Sequence, residues 1–209
     1  MRLIHKMNVT MPLKRQRTKP AEVRREELIG AAQALFLGKG FDATSVDEIV
    51  KAADVAKGTF YVYFKTKDDV LQALRARFIE GFCARLEAAV EGPAADDWIG
   101  RLDAWIEAGV NGYLDEFELH DLVFHEFRPS NRRMKQDNPV IVHLMALIEG
   151  GAGAKAWTVK QPRLTAVMLF SALHGAVDDA IAAPKKTSRK VLAASVKSFC
   201  RQALGLPLD

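Results

Sequence analysis

The stretch "KGTFYVYF", residues 57–64, places four aromatic side chains within five positions. On a helical wheel Phe60 and Phe64 share one face, which predicts that they belong to a hydrophobic core. Other side chains fall on or beside the opposite side: Lys57, Thr59, Tyr61 and Tyr63. Tyrosines beside a lysine on an outward-facing helix are typical of a contact surface. The sequence therefore predicts a short helix that is half core and half contact surface.

Helical patterns surround this stretch. An apolar stripe at spacings of three and four follows residue 20 and consists of Leu28, Ala32, Leu35 and Phe36. Gly40 ends that helix. Thr44 with Asp47, and later Thr66 with Asp69, have the spacing of capping boxes that begin a second and a fourth helix. Two short helices joined by a tight turn and packed on a first helix make a helix-turn-helix, whose second short helix enters the major groove of DNA.

The remaining chain favours helices too. Glycine and proline at "EGPAADD", residues 91–97, end the long fourth helix. Beyond it we expect amphipathic helices near 96–114, 116–128, 139–150, 162–183 and 186–204. The predicted class is all-α: an N-terminal three-helix helix-turn-helix DNA-binding domain and a C-terminal helical domain. We predict a flexible basic arm over 1–19, the helix-turn-helix domain over 20–66, and a linker helix with the second domain over 67–209.

Positive charge is concentrated at the start of the chain. Residues 1–75 contain 14 lysines and arginines against 9 acidic residues, a net charge of +5, whereas residues 76–209 contain 16 against 17. This asymmetry favours a polyanion-binding module joined to a nearly neutral one. The arm, with Lys14, Arg15, Arg17 and Lys19, either follows a minor groove and adds salt-dependent affinity or is a solvated tail.

Residues 24–71 resemble the DNA-binding domain of the tetracycline-repressor (TetR) family. The motifs that carry the resemblance are "AAQALF", "GKGF", "TSVDEIVKAADV", "KGTFYVYF" and "KTKDDVL", in that order. The resemblance implies a DNA-binding transcriptional regulator, most simply a repressor, that dimerises through its last helices on a palindromic operator. It also implies a small-molecule effector of unknown identity that binds in the C-terminal domain and releases the DNA. It leaves open the operator sequence, the target genes and activation instead of repression.

The resemblance also implies roles for single residues. Lys57 and Thr59 match base-reading positions, while the remaining matches contact mainly the phosphate backbone: Thr44, Tyr61, Tyr63 and Lys67. Two positions depart from the family pattern, since Asp54 replaces the usual turn glycine and Ala56 replaces a capping serine. Asp54 tolerates a left-handed turn and is a candidate to cap the recognition helix in place of that serine.

Aromatic and polar residues recur at helical spacing after residue 92. Aromatic residues at this spacing are most often core, yet together these suit an apolar ligand cavity with a few polar groups. The predicted ligand pocket consists of Trp105, Phe117, His120, Phe124, His125, Phe127, Phe170 and His174.

Two pairs at i,i+4 spacing, Asp121 with His125 and His174 with Asp178, could together supply four metal ligands. A histidine hydrogen-bonded to a carboxylate one turn away is the commoner arrangement. Metal sensing and constitutive repression therefore stay open as alternatives, and no cofactor is assigned. A metal-dependent enzyme built on His125, Glu126 and His174 is a remote alternative, because no nucleophile–base pair or phosphate loop accompanies them. We predict that the chain is not an enzyme.

The last two predicted helices provide the expected interface of a homodimer. Small apolar residues let helices of two subunits approach closely. The residues expected there are Leu169, Leu173, Ala176, Val177, Ala180, Val191, Ala194, Ser195 and Phe199.

The expected location is the cytoplasm. Cys83 and Cys200 are far apart in amphipathic segments, which favours reduced packing residues over a disulfide. The sequence predicts no secretory signal and no membrane partner, since no apolar run approaches the roughly 18 residues that span a bilayer.

Overall fold

The computed structural model describes residues 20–126, 138–183 and 187–207, and within these ranges the chain forms helices and no strands. The all-α prediction is confirmed. The helices are α1 (Ala21–Lys39), α2 (Val46–Ala52), α3 (Lys57–Tyr63), α4 (Lys67–Glu91), α5 (Trp98–Asp115), α6 (Phe117–Asp121), α7 (Pro139–Gly153), α8 (Pro162–Ala182) and α9 (Arg189–Ala203). A π-helical turn, Leu122–Glu126, continues α6.

Capping boxes begin two of these helices. At α4 the predicted box is confirmed, because the Thr66 hydroxyl accepts from the backbone N–H of Asp69 and the Asp69 carboxylate accepts from that of Thr66. At α2 the predicted Thr44–Asp47 box is wrong. The cap is Ser45, and Glu48 completes the box.

The shift by one residue at α2 has a clear physical reason. Thr44 is turned inward, only 2% exposed, and its hydroxyl donates to the carbonyl of Gly40 at 2.8 Å. Its neighbour Ser45 faces solvent and is free to cap the helix. Gly40 itself ends α1 with a φ of 91°, a value that favours glycine.

A first hydrophobic core lies between α1, α2, α3 and the first half of α4. It continues past the predicted boundary at residue 66, through Leu74 to Phe78 of α4. Leu122 and Val123, from the π-helical turn, complete it at 6% and 0% exposure. The other buried members are Leu28, Ile29, Ala32, Phe36, Ile49, Val50, Phe60, Phe64, Val70 and Leu71. The helix-turn-helix unit therefore depends on a segment that lies far along the chain.

A second core lies between the end of α4 and helices α5, α7, α8 and α9. Leu102, Trp105 and Ile106 of α5 pack in it against Leu144 of α7 and Val196 of α9. Both cysteines are free thiols; Cys200 is buried in this core and Cys83 packs against it. They are packing residues, as predicted.

The structure corrects part of the predicted dimer face. Leu169, Leu173 and Val177 of α8 are 0–4% exposed because they pack within the second core of their own chain. The large apolar side chains that α8 and α9 leave exposed are Leu164, Met168, Val191 and Phe199, at 50–56%. Helical spacing alone cannot distinguish a face packed within one subunit from a face packed between two.

In length and composition α8 would also pass as a membrane span, with a mean hydropathy of 1.3 over its most apolar window, contrary to the expectation from the sequence. It contacts α5, α7 and α9. A core helix of a globular domain passes the same test, so this single helix is weak evidence for a membrane.

Candidate functional site

The outer face of α3 is the first candidate site. Phe60 and Phe64 are buried, as predicted, which turns the other side of this helix outward. Tyr61 is 53% exposed and Val62 is 76% exposed, the highest value among the large apolar side chains described. Lys57 is exposed, whereas Thr59 and Tyr63 are half-buried. A short helix thus presents a cation, a hydroxyl, phenols and one bare apolar side chain to solvent.

The turn before α3 holds both departures from the family pattern. Asp54 has a φ of 51°, so it adopts the left-handed conformation expected of a residue in place of glycine. Ala56 is the N-cap of α3, and no side chain caps this helix. The suggestion that Asp54 takes over the capping role is therefore wrong. The N-terminus of α3 keeps its backbone donors free of side-chain acceptors.

An ion pair joins α2 to α3. The Nζ atom of Lys57 lies 2.7 Å from Oδ1 of Asp47, and both side chains are exposed, at 55% and 69%. The hydrogen bond to this carboxylate raises the pKa of Lys57 above its ordinary value. The cation at the start of α3 is thus held by an acid from α2.

Lys67 occupies a different environment from the exposed phosphate-contact position expected. Its Nζ donates to the carbonyls of Phe41, Asp42 and Thr44 at 2.8, 3.3 and 3.2 Å and lies 4.3 Å from the centre of the Phe41 ring. Its ammonium thus fastens the start of α4 to the loop between α1 and α2. With Thr44 buried, two of the six predicted DNA-contact residues engage their polar groups inside the protein.

A polar cluster where the two cores meet is the second candidate site. Nε2 of His120 lies 3.2 Å from Nε2 of His174, and Nδ1 of His174 lies 3.0 Å from Oδ2 of Asp178. The Tyr113 hydroxyl donates to Oδ1 of Asp178. Nδ1 of His120 faces Oδ1 of Asp121 at 3.3 Å. For this contact between the histidines to be a hydrogen bond, one Nε2 donates and the other accepts.

Aromatic rings surround this cluster. The Tyr113 ring lies 4.2 Å from that of His120 and 4.9 Å from that of His174, centre to centre. Phe124 and Phe170 lie 4.8 and 5.6 Å from His120 and His174, respectively. Burial and the hydrogen bond to Asp178 raise the pKa of the Tyr113 phenol. Four predicted site residues, His120, Phe124, Phe170 and His174, thus lie together.

The other predicted pocket residues do not all join them. Trp105 is buried in the second core, where its Nε1–H donates to Nδ1 of His143 at 3.0 Å. Phe117 packs against that core. The side chain of His125 and the whole of Phe127 lie outside the described residues. A separate groove of about 450 Å³ lies between α7 and the start of α8, lined by Met145, Glu149, Gln161, Pro162, Arg163, Leu164 and Val167.

Metal binding finds no support in the described part of the chain, where no group of three or more histidine, cysteine or acidic side chains is arranged to hold an ion. His174 and Asp178 do come together, but as hydrogen-bond partners. The Asp121–His125 pair is not tested, because the side chain of His125 lies outside the described residues.

Comparison with known proteins agrees with the arrangement of α1 to α4. Residues 28–74 match the family model of bacterial regulatory proteins of the tetR family. Over these residues the chain thus carries a tetR-family segment, as the resemblance implied. The family model describes regulatory proteins, and the relatives below are named as regulators, in agreement with the prediction that the chain is not an enzyme.

Individual TetR-family relatives extend the match. The HTH-type transcriptional regulator EthR of Mycobacterium tuberculosis is 30% identical over 115 residues, which cover 54% of this chain and 51% of that protein. The chain thus spans about half the length of this curated relative. The fatty acid metabolism regulator protein of Bacillus subtilis is 26% identical over 74% of this chain and 80% of its own.

A solved structure shows the same fold over nearly the whole molecule. The putative TetR-family transcriptional regulator from Syntrophomonas wolfei superposes with a TM-score of 0.72, covering 90% of this chain and 99% of its own at 20% identity. The C-terminal helices thus share the layout of that protein.

Sequence reasoning missed the roles of Tyr113 and Asp47 at these sites, and that of His143 in the second core. Tyr113 and His143 are single polar groups on mostly apolar helix faces, so only the partner across the fold reveals them. Asp47 was noticed, but as half of a capping box. The sequence signal was the second possible box one residue later, Ser45 with Glu48, which leaves Asp47 outside the cap.

Proposed function

We propose that this chain is a transcriptional repressor that binds a palindromic DNA operator as a homodimer and releases it when a small molecule binds the C-terminal domain. The observation that carries the proposal is the outer face of α3. A short helix, anchored from behind by Phe60 and Phe64, exposes Lys57 and Tyr61, with Thr59 and Tyr63 half-buried beside them. Such a helix fits the major groove.

Four residues of α3 are the proposed contacts. Lys57 donates to base edges at the start of the helix, and Thr59 reads beside it, while Tyr61 and Tyr63 donate to phosphate oxygens. Thr44 and Lys67 act indirectly, by holding the loop before α2 in place. The basic arm lies outside the described residues. As an arm bound along DNA it would release counterions, and we expect deletion of residues 1–19 to flatten the salt dependence of binding.

The proposed subunit interface uses the apolar side chains that α8 and α9 leave exposed. Met168 and Phe199 are 55% and 53% exposed, and Leu164 and Val191 are comparably bare. Contact between equivalent surfaces of two subunits gives a two-fold symmetric dimer. Two α3 helices then need to lie about 34–36 Å apart to enter successive major grooves on one side of the DNA.

The effector response is proposed to pass through α6. His120 on this helix contacts the polar cluster, while Leu122 and Val123, immediately after it, pack in the first core. A ligand that separates His120 from His174 would move the short segment whose residues Leu122 and Val123 complete the helix-turn-helix core. Linkage then requires DNA to weaken ligand binding by the same factor. A protein with this function is expected to act in the cytoplasm, where it would meet DNA.

The first test is selection of duplexes from a randomised pool by the purified protein, with sedimentation of the resulting complex. We expect enrichment of an inverted repeat bound by two chains. Lys57→Ala is expected to weaken binding to the enriched duplex by about 10- to 100-fold, the usual effect of losing one base contact. No enrichment above random sequence would overturn the proposal.

A further inference from the structure

Asp47 lies in the first turn of α2 but is not part of the capping box that begins this helix. The α2 capping box uses Ser45 and Glu48, and Glu48 also pairs with Lys39. Asp47 lies between them in sequence, is 69% exposed, and extends instead to Lys57 on the next helix, with Oδ1 2.7 Å from Nζ. The chain therefore places an acidic side chain on the basic residue that begins α3.

An exposed ion pair of this kind contributes little to folding stability, because solvent screens it. Its position suggests a different consequence. A carboxylate beside a DNA-contacting helix is repelled by every phosphate that approaches, so it weakens DNA binding of any sequence. Such a residue can, however, change which sequences are bound.

We propose that Asp47 is a selectivity-determining residue, which holds the Lys57 ammonium at the groove and withholds it from the phosphate backbone. The inference rests on the proposed function. On random DNA a free lysine gains a phosphate contact that is available at every position. Asp47 competes for that lysine and removes the gain. At a matching site Lys57 donates to O6 and N7 of guanine, while the carboxylate accepts from the amino group of a cytosine.

The proposal predicts a specific change in Asp47→Asn. This substitution keeps the size of the side chain and releases Lys57. Affinity for random DNA is expected to rise by about three- to tenfold, with a salt slope steeper by about 0.9, as for one added phosphate contact. Affinity for the selected duplex is expected to rise less or to fall, so the ratio of specific to random binding decreases.

The experiment measures fluorescence anisotropy titrations at several salt concentrations. The wild-type protein, Asp47→Asn, Lys57→Ala and the double variant are each titrated with the selected duplex and with a shuffled duplex of the same composition. Asp96→Asn is the matched control, because Asp96 is exposed in the α4–α5 connection and its substitution changes the net charge equally. Circular dichroism confirms that each variant is folded.

The outcomes distinguish failure of this inference from failure of the proposed function. A lower ratio and a steeper slope in Asp47→Asn, both absent in the Lys57→Ala background, support the inference. Equal effects on both duplexes, matching those of Asp96→Asn, would overturn it and leave the proposed function intact. A steeper slope that persists without Lys57 would overturn it as well, since Asp47 would then act alone. Failure of the wild-type protein to select any duplex overturns the proposed function and this inference with it.

Discussion

His143 makes the stability of the second core depend on pH. Its Nδ1 accepts the hydrogen bond from Trp105, which requires that nitrogen to be unprotonated. Burial lowers the pKa of His143 below its ordinary value of 6.5, with a small opposing effect of Glu87. The unfolded chain therefore takes up this proton more readily than the folded one. We expect the free energy of unfolding to decrease as the pH falls below about 6.5, and this part of the loss to level off below the folded-state pKa.

Urea unfolding across this pH range tests the expectation. In His143→Asn an amide oxygen replaces Nδ1 as the acceptor and no longer titrates, so stability should depend less on pH between neutral and mildly acidic conditions. An unchanged pH dependence in this variant would contradict the assignment to His143.

Lys67 provides a second prediction for a single residue. Its ammonium serves three carbonyls of the loop before α2, so Lys67→Met should lower the free energy of unfolding by about 1.5–3 kcal/mol, the range for hydrogen bonds to a charged group. Lys65→Met, two positions earlier and exposed, should cost far less. A Lys67 variant that loses DNA affinity but keeps full stability would restore the phosphate contact as its main role.

The start of α3 allows a gain of stability. Ala56 leaves this helix without a side-chain cap, and Ala56→Ser adds a side-chain acceptor for the N–H groups of the first turn. We expect the free energy of unfolding to rise by about 0.5–2 kcal/mol, measured by urea denaturation. Ala52→Ser, inside α2, is the control, because its hydroxyl would meet no free backbone donor and should give no gain. Loss of stability in Ala56→Ser would mean that the hydroxyl cannot reach those donors.

The elements themselves were largely predictable, whereas their contacts were not. Thr66 with Asp69 was found because a single capping residue stands there. At α2 two candidates adjoin, Thr44 and Ser45, and only the packed structure shows which one faces inward. The amphipathic stripe of α8 located the helix but not the partner of its apolar face. Burial against the same chain and burial against a second chain give the same sequence pattern.

The whole molecule is expected to be a dimer whose association depends on the exposed apolar side chains of α8 and α9. Phe199→Glu places a charge on the exposed apolar face of α8 and α9, where a partner subunit would have to bury it without a counter-ion. We expect sedimentation equilibrium to show monomers, with little change in unfolding of the single chain. Leu37→Glu, on the exposed side of α1, should leave the dimer intact. A dimer that survives Phe199→Glu would place the interface elsewhere.

Residues 122 and 123 also bear on how this protein is made. A ribosome completes α1, α2 and α3 long before it reaches the segment that seals their core. N-terminal domains commonly fold first during synthesis, as units. Here the core of the DNA-reading unit would stay incomplete until much of the following domain has been translated. We expect the core beneath α3 to be complete in the nascent chain only once the segment that follows His120 is in place.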